Sequence, residues 1–454
     1  MRWRRLPVKN GAVNPQTPLD MRRVIPIFTL VFVDLLGLTV ILPLLHLYAA
    51  AFGAGPLQIA LAVAAFPMAQ LIGVPVMGAL SDRYGRKPLL LISQVSTCLS
   101  FILLGLATSL ELVILSRLID GLFGANLSTA QAALSDITDA SNRSRGLGIT
   151  GAAFGLGFIF GPVIALLALE FSGSLAVPAF TAAIYSFVSI LVTAFLFKET
   201  HPAEKRGRGE RHWLGAALTP RFMLRPGLGL LLLLMFAQQL IFFGYESLLG
   251  LFTLTRLGFL GRGNALLFLL IGLILVTVQL RYIGRWSARL GDGRLASLAL
   301  GLLALGLLLT ATTPEAPHPL YLRDLVERDL LSAQPSATEA LIGELGIELP
   351  ADAGRGFSGV VWLMIAIVPV SIGAGLIRPA LNSLITQRVS TGEYGRALGF
   401  SAALVSAANA SAPLLAGLVF QQLGSSAPFA IGGLLMAGLC MWSLVSLGQA
   451  ENNL

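Results

Sequence analysis

The chain has 454 residues, 55% of them apolar and only 12% charged, with a formal net charge of +8. Soluble domains carry about 25% charged residues, so this balance excludes an ordinary water-soluble domain and predicts burial in lipid. The positive excess is spread over short connections rather than gathered on one stripe, which argues against a nucleic-acid partner.

Twelve apolar runs lie near 24–47, 58–80, 88–108, 112–134, 147–169, 177–197, 228–252, 264–283, 295–312, 358–380, 394–419 and 428–448. Each suits a hydrocarbon core about 30 Å thick. Lipid leaves no partner for exposed backbone groups, so helices are expected throughout. The predicted fold class is an all-α membrane protein with twelve transmembrane helices in two six-helix bundles. A polar tail over 1–21 precedes the first bundle at 22–197, with no cleavable signal expected and Met21 as an alternative start. A basic linker follows at 198–227. The second bundle spans 228–448, and 449–454 form a short tail.

Arginines and lysines collect in alternate connections: Arg83, Arg86 and Lys87; Arg143 and Arg145; Lys205, Arg206, Arg208 and Arg211; Arg285, Arg289 and Arg294; Arg388 and Arg396. The connections between them carry little positive charge. Such asymmetry predicts that the basic loops and both termini are cytoplasmic.

The chain also repeats itself. Gly78, Ser81, Arg83 and Gly85 follow the second run; Gly284, Ser287, Arg289 and Gly291 follow the eighth at the same spacing. Arg145, Gly148, Pro162 and Gly173 match Arg396, Gly399, Pro413 and Gly424. The second pair is offset further than the first by about the length of a polar segment at 313–357, which reads as an insertion in the second half. It carries eight acidic residues against Arg323, Arg328 and Arg355, as expected outside the cytoplasm. Parallel six-span repeats are a transporter plan.

The loop Gly78-Ala79-Leu80-Ser81-Asp82-Arg83-Tyr84-Gly85-Arg86-Lys87 resembles the signature between spans two and three of the major facilitator superfamily. The resemblance covers nearly the whole chain apart from the tail and the insertion. Arg117, Gly121 and Gly124 resemble that family's proton-linked motif in span four. Gly151, Gly155, Gly157, Gly161 and Pro162 resemble the fifth-span motif of antiporters, with Ile164-Ala165 where the motif continues Gly-Gly. Asp34 in Phe32-Val33-Asp34-Leu35-Leu36-Gly37 resembles the first span of twelve-span drug:proton antiporters, tetracycline-efflux proteins among them. The resemblance implies a proton-coupled exporter of small apolar or drug-like compounds in a bacterial-type inner membrane. It implies no bound cofactor and a monomer. Tetracycline carriers place an Asp in span three and a His in span eight, where this chain has Ser100 and Leu275, so tetracycline itself is not expected. A nutrient symporter or uniporter of the same family is the alternative, and a receptor using the insertion is a third.

The residues support chemistry of this kind. Asp34 lies about 15 Å inside its run at 1.5 Å per residue, where a charge costs at least about 2.5–3.5 kcal/mol; binding a proton removes much of that cost. Arg117 and Asp120, three apart, can pair on one helix face. Asp120 is then either a second proton carrier or a holder of Arg117. Asp82, Arg83, Arg86 and Lys87 form a gating loop; the resemblance implies that Asp82 engages the start of the eleventh helix. The glycines of span five permit close helix approach. Asn126, Gln238, Gln239, Asn382 and Asn409 either bond helix to helix or line a substrate cavity. Glu246 reads as a wet residue near an outer end. No catalytic set or metal cluster is expected: the four histidines are dispersed, and the lack of a phosphate-binding loop points to the proton gradient as the driving force.

Overall fold

The computed structural model describes residues 21–124, 126–138, 143–172, 174–201, 227–332, 346–389 and 393–452. Residues 1–20 of the expected tail, 202–226 of the linker, 333–345 of the insertion and the last two residues lie outside the described residues. In the first half the helices are α1 (Met21–Ile41), α2 (Leu45–Ala50), α3 (Pro56–Tyr84), α4 (Arg86–Gly105), α5 (Leu110–Phe123), α6 (Asn126–Asp136), α7 (Arg143–Ser172) and α8 (Ala176–Leu196). In the second half they are α9 (Leu228–Leu257), α10 (Gly261–Leu290), α11 (Asp292–Ala311), α12 (Arg323–Ser332), α13 (Ser358–Gln387), α14 (Tyr394–Leu423) and α15 (Ala427–Asn452). Among the described residues there is no strand. Ten helices are long and apolar enough to cross a membrane. The remaining two crossings are the broken pair α5–α6 and α7, whose apolar part is Gly155–Phe171.

Two expected single helices are broken. The first run stops at Ile41 and resumes at Leu45, because Pro43 has no N–H to continue the ladder. The fourth run ends at Phe123 and restarts at Asn126. Here Gly121 lies so close to the α3 backbone at Phe66 that a Cβ would overlap the Phe66 carbonyl. Gly124 leaves the helix with ψ 60, and its carbonyl accepts a 3.3 Å bond from Gln70 Nε2. The eighth run is longer than expected and contains a π-helical turn at Val278–Tyr282.

The two halves pack alike. α1 lies on α7 as α9 lies on α14; α4 lies on α8 as α11 lies on α15; α3 lies on α5 as α10 lies on α13. Between the halves, α3 packs on α14 and α7 on α10. Lipid is as apolar as leucine, so these contacts depend on small residues and hydrogen bonds rather than on water exclusion. α7 supplies them on two sides. Toward α1, Gly157 sits against Leu35 and Gly161 against Thr39, whose hydroxyl donates a 2.8 Å bond to the Gly157 carbonyl. Toward α10, Gly155 meets Val276, and Gly272 of α10 meets the Phe158 carbonyl. The helix runs unbroken through Pro162. The packing around Gly151 lies outside the described residues.

The halves touch unevenly from end to end. Call the end bearing loops 81–87 and 282–294 the basic face. At the opposite face Gly417 packs on Ala60, and Gly261 packs on Leu169, Leu44 and Leu47. At the basic face, Gly78, Gly284 and Gly399 have nothing within 4 Å of where a Cβ would stand. The halves are therefore closed at the opposite face and parted at the basic one. Gly161→Val is expected to lower stability by about 1–3 kcal/mol through overpacking, read as a lower Tm in detergent. Gly78→Ala, placed in open space, should leave Tm unchanged.

Candidate functional site

Asp34 stands midway along α1, and its Oδ1 accepts a 2.6 Å bond from Asn126 Nδ2. The break after Gly124 is what brings Asn126 to the start of α6 and over α1. With Val33, Gln94, Thr97, Ser186 and Ser189, the pair lines a small polar recess between α1, α4, α6 and α8. Gln94 Nε2 donates to Ser189 Oγ at 2.6 Å. Asn126 Oδ1 and Gln94 Oε1 are buried without partners, which leaves the recess with spare hydrogen-bonding capacity for a water or a proton carrier. Asp34 thus faces the interior of the first bundle rather than lipid. Asn126, expected among the cavity residues, is its direct partner.

Arg117 and Asp120 are both buried in α5 and pair at 3.3 Å. Arg117 Nη2 also donates to Ser100 Oγ at 2.9 Å, and its guanidinium lies 5.2 Å from the Phe101 ring centre. Ser100 in turn donates to the Ser116 carbonyl at 2.7 Å. A hydroxyl in α4 therefore locks the arginine against its own helix. The pair is close to neutral as a unit, which lowers the cost of keeping both groups in a low-dielectric interior.

The loop at the basic face is tied down by three carboxylates, Asp82 of the loop itself, Glu199 after the sixth span, and Asp136, which sequence reading did not single out. Gly85, at φ 105, ends α3 and starts α4. Arg86 then reaches Asp82 at 2.6 Å, Asp136 at 3.1 Å and Ser81 Oγ at 2.9 Å. Glu199 caps α4, accepting from the backbone N–H of Arg86 at 2.9 Å and of Lys87 at 3.1 Å. Lys87 Nζ donates to the Ala194 carbonyl at 2.8 Å, and Arg83 lies over the Tyr84 ring. Asp82 is thus engaged within its own loop. Residues 390–392, just before α14, where a contact with the eleventh span would fall, lie outside the described residues. The second half repeats the device with opposite charge. Gly291, at φ 76, is followed by Asp292, which accepts from Ser287 Oγ at 2.5 Å and from Ser383 Oγ at 2.5 Å.

The uncharged polar residues of the second half separate into distinct roles. Gln239 Nε2 donates to Asn409 Oδ1 at 2.8 Å, joining α9 to α14. Gln238 is fully buried and bonds back to the Met235 carbonyl, so it lines no open space. Asn382 stands near the end of α13 beside Ser383, toward the basic face rather than at mid-membrane. Glu246 lies well inside α9, half-buried and with no hydrogen bond or ion pair among the described residues, unlike the wet terminal position expected for it. Arg378 of α13 was not singled out at all, although an arginine between Ile377 and Pro379 in an apolar run was a visible signal.

The closure at the opposite face has polar fastenings. His46 of α2 is buried against Gly250, and its Nε2 lies 3.1 Å from Asn264 Nδ2 of α10. Asn264 accepts a 2.5 Å bond from Thr253 of α9. Tyr48 donates to the Leu175 carbonyl. The insertion docks over this end. Tyr321 packs on Gly258 and donates to the Pro350 carbonyl at 2.8 Å. Arg256 bonds the Thr313 carbonyl and pairs with Glu315 at 2.9 Å. Gly346 lies against Gly53–Gly55, so a strap from the second half touches the first.

These features define a bilayer-spanning duplicated bundle with an ionisable recess in one half and a one-sided opening between halves. The sequence model of the Major Facilitator Superfamily matches residues 27–322. The chain is 26% identical over 385 residues to a class B tetracycline resistance protein of Escherichia coli, covering 85% of this chain and 84% of that one. It is 23% identical over 409 residues to multidrug resistance protein 2 of Bacillus subtilis, covering 89% and 90%. Among solved structures, the human organic anion transporter MFSD10 superposes with a TM-score of 0.64 at 24% identity, over 95% of this chain and 100% of that one. The chain belongs to the major facilitator superfamily and is a multi-pass membrane transporter of a small molecule, not an enzyme.

Two outcomes follow from this geometry. Arg117→Ala strands a buried carboxylate and is expected to destabilise by about 3–5 kcal/mol, whereas Arg117→Met with Asp120→Leu should recover most of that loss; thermal unfolding of the three variants measures it. In the insertion, the Arg323 N–H and then the Arg355 guanidinium hold the Asp352 carboxyl below the usual carboxylate range. A depressed value stabilises the docked insertion above the ordinary carboxylate range and is lost as pH falls through the lowered one. Hydrogen exchange around 318–325, corrected for its intrinsic pH dependence, should stay slow until that acid range, and Asp352→Asn should remove the acid step.

Proposed function

We propose that this transporter exchanges protons for a small, largely apolar compound and moves that compound out of the cytoplasm. The observation that carries the reading is Asp34. It is a carboxylate inside a membrane-spanning bundle, held by the neutral amide of Asn126 and, among the described residues, paired with no lysine or arginine. Without a fixed counter-cation, such a group enters a low-dielectric interior most readily with a proton bound. Asn126 donates to Oδ1 and leaves Oδ2 free to take the proton, so the side chain keeps one position in both protonation states.

The cycle starts from the arrangement open at the basic face. Asp34 releases its proton there and the solute enters the cleft. The halves then rock, parting the Leu44, Leu47 and Gly261 contacts and closing the basic face. The solute leaves at the opposite face, Asp34 takes up a proton, and the bundle returns. Arg117, locked by Asp120 and Ser100, holds a fixed positive field beside this site. Asp82, Arg83, Arg86 and Lys87, tied by Asp136 and Glu199, form the edge that meets the second half when the basic face closes. The positive-inside distribution supports a bacterial-type inner membrane with the basic face and both termini cytoplasmic. The similarity to tetracycline and multidrug resistance proteins supports the export direction. We take the working unit to be a monomer, driven by the proton gradient without a bound cofactor. Ser100, committed to Arg117, offers no carboxylate in span four's neighbour α4, which supports a compound other than tetracycline.

The test uses the full chain in liposomes with an imposed pH gradient and, as solutes, a panel of toxic compounds first ranked by a growth assay. Wild type should move solute against the proton flux. Asp34→Asn should lose gradient-driven accumulation by more than about tenfold while retaining solute–solute exchange. Undiminished gradient-driven accumulation by that variant would overturn the assignment, and co-directional movement of proton and solute would make the protein a symporter.

A further inference from the structure

Arg378 is a charge inside a membrane span that neither the fold nor the proton cycle uses. It lies nine residues from the end of α13, or roughly 14 Å along the helix axis. A guanidinium keeps its proton under all ordinary conditions, so it has no neutral state in which to enter lipid. Arg117, another arginine within a span, has Asp120, Ser100 and the Phe101 ring around it. Among the described residues Arg378 has no hydrogen bond, ion pair or ring contact.

Its direction can be read from its neighbours on the helix. Three residues before it, Gly375 packs on Val278 and Leu275 of α10. Leu381, three residues after it, is fully buried, as is Ser371 two turns away. The lipid-facing sector of α13 is elsewhere, at Val361, Ile365 and Val368, which are exposed. Arg378 is nevertheless exposed itself while protein surrounds it at longer range. An exposed side chain flanked by buried neighbours and turned away from the lipid-facing sector fits the wall of the space between the halves, on the side that opens at the basic face. Ser371, further in along the same face, has a buried hydroxyl with no partner.

We infer that Arg378 is the anchor for an anionic group of the transported compound, a carboxylate or sulfonate on an apolar body. The inference rests on the export reading and narrows its substrate class. A guanidinium offers two parallel N–H donors to a carboxylate. The apolar walls of the cleft suit the rest of such a molecule. In the proposed cycle an anionic solute also neutralises a permanent charge that has no partner among the described residues.

The experiment measures binding to the purified full-length protein in neutral detergent with no pH gradient, by thermal shift titration. The probes are matched sets on several aromatic scaffolds, such as 1-naphthoate, the uncharged 1-naphthamide and the cationic 1-naphthylmethylammonium. The anionic member should bind at least about tenfold more tightly than its neutral partner on one or more scaffolds. Arg378→Gln should erase that preference without weakening the amide, and Arg378→Lys should keep part of it. The inference is overturned if no scaffold shows an anionic preference in wild type, or if the preference survives in Arg378→Gln. It is also overturned if phosphatidylglycerol alone gives the Arg378-dependent shift, which would make this a lipid-headgroup site. Because no proton gradient is involved, failure here leaves the Asp34 assignment standing, and loss of coupling in Asp34→Asn would not bear on this preference.

Discussion

Every charge carried into the low-dielectric part of this molecule has to be paired, hydrogen-bonded or left open to water, and the helices are arranged around those three solutions. Arg117 and Asp120 take the first: both are buried, and each answers the other within one helix. Asp34 takes the second, with a single amide donor from a helix that starts where the fourth span breaks. Arg378, exposed and without a partner among the described residues, takes the third if it stands where we infer, on the wall of the cleft. Desolvating any of these without its solution is expensive, so the broken fourth span and the one-sided opening are not incidental to the fold.

The duplicated loops show how one backbone device accommodates opposite charges. In both halves a positive-φ glycine turns the chain from one span into the next, and the following residue ties the turn to a neighbouring helix. In the first half that residue is Arg86 and the ties are ion pairs with Asp82 and Asp136. In the second it is Asp292, held by the hydroxyls of Ser287 and Ser383. The geometry belongs to the repeat. The chemistry of the residue that makes the tie does not.

Much of this architecture was legible from the chain alone. Apolar run lengths, alternating basic loops and two offset repeats are direct consequences of lipid as solvent, and they pointed to twelve crossings in two like bundles. The i, i+3 spacing of Arg117 and Asp120 and the depth of Asp34 were equally visible. What escaped was set by tertiary approach. The interruption at Gly124 depends on how closely Gly121 meets the α3 backbone, which no window of residues encodes. Gln238 and Gln239 are adjacent and alike in composition, yet one bonds its own helix and the other crosses to Asn409. Asn382, just past the expected run 358–380, lies inside α13 because that helix continues to Gln387. Arg378 was passed over because the surrounding run is so apolar that the single charge did not alter its reading as a span.

The strap that reaches from the second half to Gly53–Gly55 has a bearing on the medium in which the protein works. Among the described residues, most contacts that cross between the halves at that end are uncharged: glycine against backbone, leucine against glycine, imidazole against amide; one exposed ion pair, Arg262 of α10 with Glu170 of α7 at 3.2 Å, joins them. The edge that must close at the other end is built from arginines and carboxylates. Dissolved ions screen charged contacts strongly and neutral ones hardly at all. In the proposed cycle the two gates therefore respond unequally to the water on their own side: ionic strength facing the basic loops acts on several charged groups, whereas ionic strength facing the strap acts on the single exposed Arg262–Glu170 pair and leaves the neutral contacts around it in place.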